Sequence, residues 1–499
     1  HHMKLVALPA LLLAVLFTLT VIPLDEVQSG GYTPGETVVG HAGYAEYHVG
    51  DLPIILSVPH AGPLRPETIP DRTEAILDND PYADELGAEL SAEIQLRTGH
   101  PVHLVVNQLH RSKLDVNRSL MDGAQGDPLA IQAWQEYHGF LLAAKQAVME
   151  QCGRGLLIDL HTNGREGYLI QFGYGLKADD LAEDDDHLNR DSFVRRSTLR
   201  QLASFGPTDH ADLLRGFLSL GGLMSSQGYA AEPSPDRPQP TGDPYFSGGY
   251  TIFRHGSLYG GWVDAIQVEV SYDLLRPAAR TNFVRALATS VLTYLDTAYG
   301  FRLSDPGGAV CPSFVDVPLS HPASAAVESL QAQDVLTACS VSPRRFCPSS
   351  AATRAEAAVM AVRLKGEPAK QGVGVPSFVD LPSDRWDARS IELAVSLGWL
   401  PACGQAPMRA CPESPLTRGE AVHLAVELAP ALLRVAPSQV PADVAAQPEA
   451  VEGAAVLHAG LLAPCRTMPS LALCPETSIT RAELAQLLAG VEDKMTAGD

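Results

Sequence analysis

Gly155-Leu156-Leu157-Ile158-Asp159-Leu160-His161-Thr162 is an apolar run that delivers a histidine at its end. It reads as a buried strand over residues 155–160. Side chains alternate along a strand, so Asp159 and His161 share a face, and the carboxylate is placed to orient the imidazole. A second run does the same: Ser57-Val58-Pro59-His60-Ala61-Gly62 leaves a strand over 52–58 with His60 just beyond its end. Further strands are expected at 102–108, 167–172 and 265–271. Amphipathic helices are expected at 84–98, 128–150, 193–205, 209–226 and 279–299. Strands alternating with helices predict an α/β domain, a mixed, mostly parallel sheet flanked by helices. The Pro- and Gly-rich stretch 234–248 reads as a functional loop, and 305–308 as a linker.

Open α/β sheets place ligands at the carboxyl ends of their strands, where polar residues concentrate here. A lone histidine has many roles. Two at parallel strand ends point to a shared zinc ion, and a hydrolytic site with two His ligands needs a carboxylate as third. Asp78-Asn79-Asp80-Pro81-Tyr82-Ala83-Asp84 supplies candidates where a helix begins, although Asp84 serves equally well as a helix cap. Glu67 is a further candidate. Arg111-Ser112-Lys113-Leu114-Asp115-Val116-Asn117-Arg118 reads either as a carboxylate clamp or as a surface charge network. Glu269, inside the apolar run Ile266-Gln267-Val268-Glu269-Val270, is costly to bury unless it is paired or functional. Beside a zinc site it would act as general base.

Beyond residue 308 the texture changes to an internal repeat with a period of about 60 residues. Phe314-Val315-Asp316-Val317-Pro318 recurs as Phe378-Val379-Asp380-Leu381-Pro382 and, weakly, as Pro441-Ala442-Asp443-Val444. Thr353-Arg354-Ala355-Glu356, Thr417-Arg418-Gly419-Glu420 and Thr480-Arg481-Ala482-Glu483 are capping boxes that start helices. The arginines between are not required by a cap. Cys339/Cys347, Cys403/Cys411 and Cys465/Cys474 recur at one place in each repeat and read as local disulfides. Cys152 and Cys311 remain, either as a pair or with Cys152 a buried thiol.

The 499 residues carry a formal net charge of −22, which argues against a nucleic-acid partner. Lys4 followed by the apolar run 5–24 reads as an export signal, cleaved as a signal peptide or retained as an anchor, since about 20 apolar residues span a bilayer. His1 and His2 look like tag remnants.

The repeats resemble S-layer homology domains, with their Phe-x-Asp-Val opening and Thr-Arg-Ala-Glu helix start. In that family three such repeats form a helical module that holds an acidic cell-wall polysaccharide. The resemblance implies Arg354, Arg418 and Arg481 as its anion contacts. Repeat three lacks the opening Phe. The first domain resembles the N-formylglutamate amidohydrolase family, related in fold to carboxypeptidase-A-like (phosphorylase/hydrolase-like) zinc peptidases. The resemblance rests on an ordered set: Ser-Val-Pro-His-Ala-Gly (57–62), Asp-Pro-Tyr-Ala-Asp-Glu-Leu (80–86), Arg-x-x-x-Asp-x-Asn-Arg (111–118), Asp-Leu-His (159–161), Gly-Gly-Tyr-Thr (248–251) and Ala-Ile-Gln-Val-Glu-Val (265–270). It implies His60 and His161 as zinc ligands, with Asp80 the third ahead of Asp84. Arg118 with Asn117 would grip a substrate carboxylate, supported by Arg111 and Asp115. Glu269 would be the base, and Arg254 would polarise the scissile carbonyl or bind substrate. The chain departs from the pattern at Pro63, where carboxypeptidases carry a Glu ligand, and at Ser271-Tyr272-Asp273, where the family often shows an Arg.

The expected organisation is tag remnant and signal over 1–30, a zinc amidohydrolase-like domain over 31–304, and an all-α module of S-layer homology repeats over 309–370, 371–434 and 435–499. The expected activity is a secreted, wall-anchored zinc hydrolase. Its substrate would be an amide bearing a carboxylate: an N-formyl or N-acyl amino acid, a wall peptide or a poly-γ-glutamate-like polymer. The alternatives are a metallocarboxypeptidase and a non-catalytic wall-bound protein.

Overall fold

The computed structural model describes residues 32–496, apart from 74, 165–168, 242–243, 305–307, 342–343, 367–377, 383, 435–439, 446–448 and 469. The expected export signal and most of the expected linker lie outside the described residues. No described helix is long and apolar enough to cross a membrane.

Among the described residues, eight strands form one sheet: β1 (Thr37–Val39), β2 (Ala45–His48), β3 (Ile54–Val58), β4 (His103–Asn107), β5 (Gly155–Asn163), β6 (Ile170–Gly173), β7 (Ala231–Glu232) and β8 (Val263–Ser271). Their order is β1-β2-β4-β3-β5-β8-β6-β7. The centre, β4-β3-β5-β8, is parallel. β2 and β6 join it antiparallel. β3, β5 and β8 are buried along their whole length except Asn163, as a sheet covered on both faces requires. The helices Ala83–Thr98 and Pro277–Tyr294 pack on one face and Pro128–Cys152 on the other, each within its own apolar cluster. Two expected helices are broken. The 209–226 stretch divides at Gly216 into His210–Arg215 and Leu220–Ser226, and the 193–205 stretch into Asp191–Val194 and Arg200–Phe205. The short strands β1, β2 and β7, toward the two edges of the sheet, were not expected.

Asp264 opens β8 at the end remote from His161 and is fully buried. Ser257 Oγ, Tyr299 OH and the Gln201 N–H donate to it. Burial nonetheless outweighs these bonds and pushes its carboxyl from 3.8 up to about 6. The folded chain therefore holds this proton more tightly than the unfolded chain. The stabilisation is complete below pH 3.8 and is lost as pH rises through about 6. Above that, the ionised carboxylate costs about 3 kcal/mol. Asp264→Asn is expected to raise the melting temperature at pH 7 and to remove this part of the pH dependence between 4 and 6. Melting curves at several pH values check it.

Residues beyond 308 form a three-part ring. The first helix of repeat two (Ala388–Ser396) packs on the second helix of repeat one (Arg354–Leu364). Glu449–His458 packs on Arg418–Leu428 in the same way, and Ser324–Ala332 of repeat one packs on Arg481–Thr496 of repeat three, closing the ring. The module is not all-α as expected. Among the described residues, the loops closed by Cys339–Cys347 and Cys403–Cys411 each carry a pair of antiparallel two-residue strands, and the loop closed by Cys465–Cys474 carries the bridge Arg466–Ala472. The second cysteine of each pair has a left-handed backbone. The opening aspartate accepts its N–H and that of the preceding residue, at 2.7–2.9 Å: Asp316 at Cys347, Asp380 at Cys411 and Asp443 at Cys474. Repeat three keeps this device without the opening Phe.

The three motif arginines, expected as acidic-polymer contacts, have partners within the module itself. Arg354, Arg418 and Arg481 are buried. Each reaches into another repeat and pairs with its capping-box glutamate: Arg354 with Glu420, Arg418 with Glu483, Arg481 with Glu356. Each also donates to two carbonyls there. A guanidinium presents five donors in a rigid fork and no acceptor, which suits this enclosed geometry. The module is tied to the first domain by the Cys152–Cys311 disulfide and by buried Arg154, which donates to Tyr299 O at 2.7 Å and Val315 O at 2.9 Å.

Candidate metal centre

β4 and β5 flank β3 on opposite sides, so the connections leaving β3 and β5 diverge and open a crevice at their carboxyl ends. His60, just past β3, and His161, in β5, meet there with ring centroids 4.9 Å apart. Asp80 arrives on the loop between β3 and the following helix. That loop is folded back by Asp80 N–H donating to His60 O at 3.0 Å and by Asn79, which donates to Gly62 O and accepts from Arg111 N–H, both at 2.8 Å. Gly62 passes so close to Gln108 that a Cβ would lie 2.1 Å from its carbonyl carbon, which explains the glycine of the motif.

Asp80 Oδ2 lies 3.3 Å from His60 Nδ1 and 2.9 Å from His161 Nδ1. The outer nitrogens face other groups: His60 Nε2 meets Asp115 Oδ1 at 2.7 Å, and His161 Nε2 meets Asp159 Oδ2 at 3.0 Å and Asn117 Nδ2 at 3.2 Å. Both rings thus turn Nδ1 inward and Nε2 to a carboxylate, an arrangement that fixes a ligating imidazole. One donor atom each from His60, Asp80 and His161 lie within 4.8 Å of one another, all buried. Two imidazoles and a carboxylate are the donor set of a catalytic zinc site with an open position. Asp84 and Glu67, the other candidate third ligands, are exposed.

Glu269 is the register partner of His161 on the adjacent strand β8. Asn163 Nδ2 donates to its Oε2 at 3.2 Å and Gln267 Nε2 to its Oε1 at 3.0 Å. Burial pushes its carboxyl above the usual range and Asp80 adds to this, against the pull of His161 and the two amides. Asp80 is the opposite case: burial raises it, but His60 and His161 hold it well below the ordinary range. Asp115 is held equally low by His60 and Arg111. Burial would lower His161, but Asp159, then Asp80 and Glu269, outweigh it and raise the ring well above its usual value. Carboxylates outnumber the fixed positive groups, so the centre favours a cation.

The expected carboxylate clamp is arranged differently. Asn117 is buried, with Oδ1 accepting from Thr251 N–H at 2.8 Å and Nδ2 on His161. Arg111 donates from Nε to Asp115 at 3.0 Å and pairs with Asp80 at 3.4 Å. The polar groups of Arg111, Asp115 and Asn117 are thus engaged by one another, by His60 and by the Thr251 N–H. Arg118 is half-buried and donates to Asn117 O at 2.8 Å. Arg254 is exposed, lies over Trp134 at 5.3 Å and donates to Tyr250 OH.

Several supporting groups were not anticipated. Ser57 Oγ donates to Asp159 Oδ1 at 2.6 Å, and Arg72 stands 3.7 Å from Asp115. Gln267 and Asn163 were visible in principle, since each lies two residues from a candidate along its strand and so shares its face.

No protein-family model matches the chain, and no curated protein matches it. Among solved structures it is similar to N-formylglutamate amidohydrolase from Ralstonia eutropha JMP134, at 14% identity over 54% of this chain and 97% of that one, with a TM-score of 0.31. It is similar also to the gene product Atu2144 from Agrobacterium tumefaciens, at 15% identity over 51% of this chain and 95% of that one, with a TM-score of 0.31. Likeness at this level leaves the chemistry to be argued from the site itself.

Proposed function

We propose that the chain is a secreted, cell-wall-anchored, zinc-dependent hydrolase that cleaves an amide bond in a carboxylate-bearing substrate. The observation that carries this reading is the inward convergence of His60 Nδ1, His161 Nδ1 and Asp80 Oδ2, each imidazole backed by its own carboxylate, beside the buried Glu269. Zinc held by these three residues would supply Lewis acidity at neutral pH. Glu269 takes a proton from the hydrolytic water and returns it to the departing amine nitrogen. Its raised proton affinity suits a group that must both accept and give back. Arg118 orients the substrate by its acid end, which turns binding energy into alignment. The candidate substrates are N-formyl and N-acyl amino acids, wall peptides and poly-γ-glutamate-like polymers.

Elemental mass spectrometry of the native protein is expected to give one zinc per chain, and His161→Ala to lose it. Chelation should abolish hydrolysis across a panel of N-formyl, N-acyl and peptide substrates. A chain without stoichiometric metal that still hydrolyses them would defeat the reading. Wall attachment is supported by the repeat pattern and the export-like leader. Isolated walls should retain the full chain but not residues 31–304, and equal retention would remove the anchor.

A further inference from the structure

Three residues on one face of the helix Pro128–Cys152 point at the metal centre's supports. Trp134, Tyr137 and His138 stand three and four positions apart, the spacing that brings side chains onto one helix face. Tyr137 OH lies 2.6 Å from Ser57 Oγ, which in turn donates to Asp159 behind His161. Trp134 Nε1–H donates to Arg118 O at 3.1 Å and His138 Nε2–H to Val116 O at 3.0 Å. The segment 115–118 is thereby divided by function. The carbonyls of residues 116 and 118 are held by the helix, while the Asp115 side chain goes to His60 and Asn117 accepts from Thr251 N–H.

His138 is itself oriented from behind. Its Nδ1 lies 2.8 Å from His255 Nε2, with the rings 11° from parallel. A carbonyl can only accept, so His138 carries a proton on Nε2. Both rings are fully buried, and burial with Arg254 nearby pushes His138 down to about 3. His138 is therefore neutral, its Nδ1 accepts, and His255 must donate from Nε2. This leaves His255 Nδ1 a bare acceptor with no partner among the described residues. His255 is anchored in turn, since Lys145 Nζ donates to its carbonyl at 2.6 Å. The helix Tyr250–His255 also meets Asn117 through Thr251 N–H.

We propose that His138, oriented by His255, is a positioning residue of the metal centre, holding the 115–118 segment so that Asp115 fixes the outer nitrogen of His60. This rests on the metal-site reading above. His138→Phe keeps a ring of similar size but leaves Val116 O without its donor. His138→Gln can still donate to Val116 and accept from His255.

The test uses the full chain and zinc alone. Chelator competition is expected to show zinc held about tenfold more weakly by His138→Phe, within the range seen when a ligand's outer partners are lost. His138→Gln should stay within about threefold of the native chain by the same measure. Equal zinc affinity of the native chain and His138→Phe would overturn the positioning role alone. A native chain that holds no zinc would remove the metal reading and this role with it. A second measurement needs no variant: nitrogen-15 spectra of the metal-free native protein at pH 7 should show both rings neutral and protonated on Nε2. A proton on Nδ1 of His138 would overturn the proposal even if His138→Phe failed to fold.

Discussion

Glu269→Gln is expected to lower kcat by about 10²–10⁴-fold, the usual contribution of a positioned acid–base group, with zinc content unchanged. The substitution is close to isosteric, and the site can accommodate it. Asn163 and Gln267 both direct an amide N–H at the native carboxylate. A glutamine at 269 replaces one accepting oxygen with a donor and would face one of those amides donor to donor. Gln267 relieves the conflict by turning over, because its Oε1 is buried and has no partner among the described residues. After the turn it accepts from the new amide. The protein should therefore fold and melt like the native chain while losing the proton carrier. Steady-state kinetics on whichever panel substrate is cleaved, with metal content measured on the same sample, reads both sides. Activity within about twofold of native would remove Glu269 from the chemistry.

Much of this site is legible without coordinates, and the reason is geometric. A parallel strand buried on both faces is a continuous apolar run, so a histidine or glutamate at its end stands out. His60, His161 and Glu269 are exposed to reading in this way, and Asp159 follows by alternation. Asp80 is harder. It sits in an acidic stretch between Asp78 and Asp84, and its burial, its backbone tie to His60 and its side-chain contacts to both imidazoles select it. Asn117 and Arg111 mislead because their types suit a carboxylate as well as an imidazole or another side chain. Which one they meet is decided by the fold of the 111–118 segment, which has no periodicity to read. His138 is less visible still. It occupies one position of a long amphipathic helix, and its hydrogen-bond partner lies 117 residues away.

The motif arginines show the same limit and lead to the second large effect. Arg481 is 1% exposed and closes the ring between the third and first repeats. Its Nε donates to Phe346 O at 2.5 Å, its terminal nitrogens meet Glu356 and Thr337 O, and its guanidinium lies 4.7 Å over the Phe346 ring. Arg481→Ala would strip the donor from two carbonyls and leave Glu356 without its countercharge. Removing one partner of a buried pair typically costs about 3–5 kcal/mol, more than the pair itself contributes over an apolar replacement. The loss falls on the contact that joins residues far apart in sequence, so the ring should open rather than relax locally. Arg481→Lys keeps the charge but cannot form the fork, and should recover only part of the loss. Denaturant unfolding of the full chain should show the repeat module melting early in Arg481→Ala, with the Glu269 domain unaffected. A loss under about 1 kcal/mol would mean that the guanidinium is not an internal tie.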